Sequence, residues 1–176
     1  MPIQDNKEIT SYVDLFVSVI ICFPEITTIK YDRESDKITF NFVIKNYEHD
    51  DIEGSLETLK KALAVYFRQK HYIRTPNFVL EAQILGDHAV LKCLRDMSTI
   101  TREEISFIVE LFRVKFSDCL VTEVVDREEE GNYHWSGLEI DEASEGKNAI
   151  KQSEDKAGNK ILVCREAGKV LVFINS

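Results

Sequence analysis

The sequence has little glycine and proline, with seven and three of these residues in 176. Disordered and low-complexity chains are usually rich in both, so their scarcity predicts a folded protein. The 44% apolar and 30% charged content is ordinary for a globular chain. Its length is enough for one domain with an appendage.

Long apolar runs are also lacking, and no leader segment is expected. The longest run, "VDLFVSVIICF", is shorter than the roughly 20 residues of a membrane helix and contains Asp14. The first residues, "MPIQDNKE", do not resemble a signal peptide. The four cysteines are dispersed without metal-site spacing, at Cys22, Cys93, Cys119 and Cys164. We therefore expect buried free thiols in a cytoplasmic protein without a membrane segment.

Motifs that carry chemistry are missing as well. "EGKN" and "AGKV" contain Gly-Lys but neither the Ser/Thr nor the earlier glycine of a phosphate-binding loop. No serine lies in a G-x-S-x-G elbow, and no two histidines have metal-ligand spacing on one helix. The "HDD" at 49–51 is interpreted as a helix cap. The sequence thus predicts no cofactor and no metal, and it favours a non-enzymatic protein while leaving activity open.

Negative charge dominates one stretch of the chain. The net charge is −9, and from Glu123 to Glu145 nine carboxylates accompany a single base, Arg127. Phosphate backbones are bound by clustered lysine and arginine, so nucleic acid is not the expected partner.

A basic stripe on the second predicted helix leaves three readings open. These are a solvated face, a surface for an anionic partner such as RNA, and a contact for the chain's own acidic stretch. The stripe comprises Lys60, Lys61, Arg68, Lys70, His71 and Arg74.

Apolar periodicity predicts three helices that alternate with β-hairpins. The first helix is expected to start at a capping box formed by Asp5 and Glu8 and to end before Pro24. A hairpin of "TIKYD" and "KITFNFVIK" follows. The second helix begins at "DDIE", and the next hairpin has a two-residue Gly86-Asp87 turn that fixes its register.

The third helix is expected to start at a second capping box, in which Thr101 caps the helix and the Glu104 side chain accepts a hydrogen bond from the Thr101 backbone N–H. A further apolar stripe on this helix makes its apolar arc wider than one sheet requires. That stripe comprises Phe107, Leu111 and Val114. "LVTEVVD" then reads as a strand, and a last hairpin ends the chain.

The predicted fold class is α+β, an antiparallel sheet with amphipathic helices on one face, in the order α-ββ-α-ββ-α-β plus a C-terminal hairpin. Residues 37–126 have the ferredoxin-like β-α-β-β-α-β order, so that or a related two-layer topology is possible. We expect a core domain at 1–126, an acidic linker or arm at 127–147, and a segment at 148–176 whose hairpin docks on the core or on a partner subunit. The alternation of helices and hairpins in a small acidic chain resembles the bacterial type III secretion chaperone-like fold, although the strand count differs and no residue role follows.

The terminal hairpin, "KILVCREAGKVLVFINS", is apolar on both faces and therefore needs cover on both. The candidate covers are the extra stripe of the third helix and the apolar residues on the far side of the second hairpin. The aromatic pair Tyr133 and Trp135 is expected to dock on an apolar surface. We predict a homodimer whose interface includes Phe107, Leu111, Val114, Tyr133, Trp135, Val163, Leu171 and Phe173.

The function expected from these features is protein–protein interaction, in an adaptor, chaperone-like or regulatory role. The alternative is a small-molecule-sensing or RNA-binding domain on a ferredoxin-like core. The identity of any partner does not follow from the sequence.

Overall fold

The computed structural model describes residues 3–47, 51–70, 76–122 and 159–175. Three helices lie in this part of the chain: α1 (Ile3–Cys22), α2 (Ile52–Gln69) and α3 (Arg102–Phe116). The strands are β1 (Thr28–Asp32), β2 (Lys37–Lys45), β3 (Phe78–Leu85), β4 (His88–Asp96), β5 (Lys160–Glu166) and β6 (Lys169–Asn175). A 3-10 turn at Met97–Thr99 leads into α3.

The six strands form one sheet in the order β3-β4-β2-β1-β5-β6. Every neighbouring pair is antiparallel. The predicted α+β class with an antiparallel sheet is confirmed. β1 lies at the centre and joins the terminal hairpin to the rest of the sheet, because β2 pairs with one of its edges and β5 with the other.

β2 lies between β4 and β1, and the strand on its β1 side is not the one that a ferredoxin-like sheet would place there. Residues Lys37 to Asn41 of β2 pair with β1, whereas Ile44 near its end forms an isolated bridge with Leu120. The predicted strand "LVTEVVD" is therefore reduced to this bridge within the described residues, and 123–126 lie outside them. One edge of β2 thus serves two partners in succession.

Some of the predicted turns and helix caps are confirmed, and others are wrong. The Gly86-Asp87 turn forms with Gly86 at φ +67°, and Thr101 accepts a hydrogen bond from the Glu104 backbone N–H at 3.2 Å. The first helix starts at Ile3, so Asp5 is not its cap. Asp51 precedes α2, but its side chain accepts no capping hydrogen bond.

The helices divide the covered face of the sheet between them. α1 packs on β1, β5 and β6, and the ring of its Phe16 lies 5.7 Å from the ring of Tyr31 on β1. α3 packs on β2, where Phe112 stacks on Phe42 with ring centres 4.0 Å apart. α1 therefore covers one face of the terminal hairpin within the chain, and the extra stripe of α3 does not share that contact.

Alternation along the strands places the core between this face and the helices. In β4 and β5 the buried side chains are every second residue, as a half-covered antiparallel strand requires, and β2 follows the same alternation except that Asn41 on its other face is also buried. On the terminal hairpin the buried residues are Ile161, Val163, Val170 and Val172. None of the described helices has the length and apolarity needed to cross a bilayer.

Candidate interaction surface

The opposite face of the sheet carries no helix in the described part of the chain. At one end, β5 and β6 present four apolar side chains in a two-by-two block, because Cys164 pairs with Leu171 and Leu162 pairs with Phe173. We call these four residues the β5–β6 patch. Leu162, Cys164 and Leu171 are half-buried, and Phe173 is 40% exposed. On this face of β5 and β6, polar residues occur only at the strand ends.

The other end of this face is also apolar but is interrupted. Val79 and Leu85 of β3 are exposed, and Leu94 of β4 pairs with Val79. Glu81 and Gln83 lie between the two β3 residues, and Gln83 accepts a 2.9 Å hydrogen bond from Lys92. This end is therefore less suited to apolar contact than the β5–β6 patch.

A polar band separates the two apolar ends. It is formed by Thr28 and Lys30 on β1 and by Thr39 and Asn41 on β2, which the register places side by side. Asn41 is only 7% exposed, and its Oδ1 accepts no hydrogen bond from the described residues.

The predicted interface residues do not lie on one surface. Leu171 and Phe173 belong to the β5–β6 patch, whereas Val163 is fully buried on the α1 side of the same hairpin. The three α3 residues lie in the helical layer, on the other side of the sheet. Tyr133 and Trp135 fall outside the described residues.

The α3 stripe is itself divided. Phe107 is half-buried and stacks on Tyr66 of α2 with ring centres 4.4 Å apart. Leu111 packs at the margin of the core, and Val114 is 72% exposed. The apolar arc of α3 is wide because its helix contacts both the sheet and α2.

The basic stripe of α2 is only partly available for an anionic partner. Lys70 forms an ion pair with Glu103 and lies 5.7 Å from the ring centre of Tyr66. The hydrogen bond from Lys70, together with its positive charge, lowers the pKa of the Glu103 carboxyl. Lys61 and Arg68 are exposed, and His71 and Arg74 lie outside the described residues.

Buried charges elsewhere join helices to the sheet. Arg95 of β4 and Glu104 of α3 are both fully buried and form a two-point ion pair. Arg95 also donates to the Asn77 carbonyl at 2.8 Å, and its guanidinium lies 5.3 Å from the ring centre of Phe67. Glu104 therefore does not complete the predicted capping box, because its carboxylate binds Arg95 instead.

Two more charged residues have the same structural role. Arg165 of β5 points to the α1 side and donates to the carbonyls of Ile20 and Pro24, at the end of α1. A cation placed there stabilises the carbonyls that the helix leaves unpaired. Glu25, before β1, accepts hydrogen bonds of 2.8 and 2.6 Å from Arg113 of α3, and this contact raises the pKa of Arg113.

The four cysteines are free thiols, and the environments of Cys93 and Cys164 disfavour the reactive thiolate. Burial raises the pKa of Cys93 to about 12. Burial also raises the pKa of Cys164, with a smaller contribution from Glu166. Arg165 does not activate Cys164, because neighbouring strand residues point to opposite faces of the sheet.

A shallow depression of about 270 Å³ lies between the start of α2 and the end of α3. Its lining includes Tyr47, Ser55, Lys115 and Asp118. In the described ranges no group of three or more His, Cys, Asp or Glu side chains is arranged to hold a metal ion.

The chain matches no protein-family model, no curated protein and no solved structure. The β5–β6 patch was predictable as an unusual apolar hairpin. The Arg95–Glu104 ion pair was not predictable from the sequence, because nothing at these two positions marks the residues as partners.

Proposed function

We propose that this protein acts by non-covalent contact with another protein through the helix-free face of its sheet, with the β5–β6 patch at the centre of the contact. The observation that carries the proposal is the arrangement of Leu162, Cys164, Leu171 and Phe173 as adjacent cross-strand pairs on that face. A contiguous apolar patch bordered by polar residues is typical of a protein interaction site.

The β5–β6 patch supports this role better than the other exposed apolar residues do. Val114 is more exposed than Phe173, but it is the one exposed large apolar side chain on α3, since Phe107 and Leu111 of the same stripe are half-buried. Single exposed apolar residues are common on any protein surface. Phe173 is an aromatic side chain with an apolar cross-strand partner and is therefore the better anchor.

The ionisable groups that the fold buries do not favour a catalytic role. Arg95, Glu104, Arg165 and Glu25 are each held by contacts that connect a helix to the sheet or to a loop. Groups used in this way stabilise the fold. The support for an interaction role thus comes from the apolar surface.

Site-specific photo-cross-linking tests the proposal. A benzophenone amino acid is placed at Phe173 in the full chain, in the cell from which the protein comes, and the same residue at Val114 serves as the matched control. We expect a discrete adduct with a different protein from position 173 and none of that size from position 114. Identical adducts at both positions, or no adduct with a different protein at 173, would contradict the proposal.

A further inference from the structure

We infer that two copies of this chain pair through the outer edge of β6, which joins their sheets into one. The inference rests on the proposed function, because β6 contributes half of the β5–β6 patch. β6 is the last strand in the sheet order, and in the described part of the chain no strand pairs with its outer side. Such an edge presents N–H and C=O groups that can pair with another strand.

The hairpin geometry determines which backbone groups point outward. Ala167 and Gly168 form a two-residue turn with φ of +49° and +72°, closed by the pair Glu166 and Lys169. In such a hairpin the closing pair is hydrogen-bonded, and hydrogen-bonded pairs then alternate along the strands. Leu171 and Phe173 therefore bond to β5.

The remaining residues of β6 must direct their backbone groups to the open edge. These residues are Val170, Val172 and Ile174. The same alternation on β5 requires Arg165 to face β1, and its N–H does donate to the Thr27 carbonyl at 3.2 Å. This bond agrees with the assignment.

β6 lacks the features that usually protect an edge strand. Its sequence, "KVLVFIN", has no proline and a single charge, Lys169 at its first position. The opposite edge of the sheet, β3, carries Glu81 at its middle. A charge at mid-strand opposes pairing with another copy, so β6 is the edge suited to association.

Pairing about a two-fold axis at Val172 gives a self-complementary register. Val172 then faces its own copy, and Val170 faces Ile174 of the second copy. On the helix-free face, Leu171 lies opposite Phe173 of the second copy, and Lys169 lies opposite Asn175. Apolar side chains therefore meet apolar ones and no like charges are opposed, as a closed dimer requires.

This arrangement also enlarges the proposed contact surface. A two-fold axis perpendicular to the sheet keeps both helix-free faces on the same side. The two β5–β6 patches then adjoin, with Leu171 and Phe173 of each copy at the junction. The occupant of the β6 edge is thus a second copy, and the shared apolar face remains for a different protein.

Amide hydrogen exchange of the full chain, followed by NMR together with sedimentation velocity at increasing concentration, tests the pairing. We expect dimers and a slowing of exchange at the Val172 and Ile174 amides. The slowing reaches about tenfold when roughly 10% of the chains remain monomeric, since exchange then proceeds through that fraction. The Leu171 and Phe173 amides are expected to be protected at every concentration.

A matched pair of proline variants gives an independent test. Ile174→Pro removes an outward N–H of β6 but no bond to β5, and Ile84→Pro does the same on β3, where the turn places Ile84 at the outer edge. We expect Ile174→Pro to be a folded monomer and Ile84→Pro to remain dimeric. Dimers of equal strength in the two variants would overturn the pairing.

The results separate the pairing from the proposed function. A full chain that is monomeric at all concentrations overturns the pairing, and so does a dimer whose Val172 and Ile174 amides exchange without protection. If such a monomer still forms an adduct with a different protein from position 173, the proposed function stands alone. Protected edge amides without that adduct support the pairing and contradict the proposed function.

Discussion

Removing the guanidinium of Arg95 is expected to cause a large loss of stability. Arg95→Met deletes both bonds to Glu104 and the bond to the Asn77 carbonyl, and it leaves a fully buried carboxylate without a counter-charge. Breaking a buried ion pair in this way costs about 3–5 kcal/mol. With a urea m-value of about 2 kcal/mol/M, the unfolding midpoint should fall by about 2 M.

A double-mutant cycle isolates the interaction. Glu104→Gln alone should also be strongly destabilising, because it leaves the buried Arg95 charge without its counter-charge. The double variant Arg95→Met with Glu104→Gln should lose clearly less than the sum of the two single variants.

The neighbouring pair Lys70 and Glu103 is the matched control, because it has the same charges but is exposed. We expect Lys70→Met to leave the urea midpoint almost unchanged, since exposed ion pairs contribute little. If Arg95→Met shifts the midpoint no more than Lys70→Met does, or if the cycle shows no coupling, the reasoning is refuted.

Two further predictions concern the terminal turn and the buried thiol. Ala167→Gly should raise the free energy of unfolding by about 1 kcal/mol, because alanine is strained at the positive φ of this turn. As a control, Ala64→Gly inside α2 should lower the free energy of unfolding by about the same amount. Urea unfolding measures both changes, and a loss of stability in Ala167→Gly would contradict the first prediction. The raised pKa of Cys93 means that the folded state retains the thiol proton at a pH where the unfolded chain loses it. The contribution of the buried Cys93 thiol to stability is therefore complete below about pH 9 and is lost as the pH rises toward about 12. Pulse alkylation at pH 9, located by mass spectrometry, should leave Cys93 unmodified until the chain unfolds, and its modification at the same rate in native and unfolded protein would show that it is not buried.

Local patterns were sufficient for most of the described elements. Alternating apolar residues placed β1 and β2 at their observed bounds, and the Gly86-Asp87 turn fixed the observed register of β3 on β4. The apolar character of both faces of the terminal hairpin was also evident, since it follows from two adjacent apolar runs. These features depend on residues close together in the chain.

Two local sequence patterns predicted the wrong contact, because a residue or strand outside the pattern decides it. Glu104 has the sequence position of a capping-box residue, but the nearby Arg95 side chain binds its carboxylate more strongly than a backbone N–H would. The strand expected after α3 is limited to the Leu120 bridge in the described residues, because β1 already occupies most of that edge of β2.

The candidate surface shows the same division. The sequence by itself determined that the terminal hairpin is apolar on both faces and needs cover, because alternation fixes which side chains share a face. Only the tertiary structure decided that α1 covers one face while Leu162, Cys164, Leu171 and Phe173 remain together on the other. The reason is that β5 pairs with β1, more than a hundred residues earlier in the chain, and this long-range pairing is set by the packing of the whole sheet.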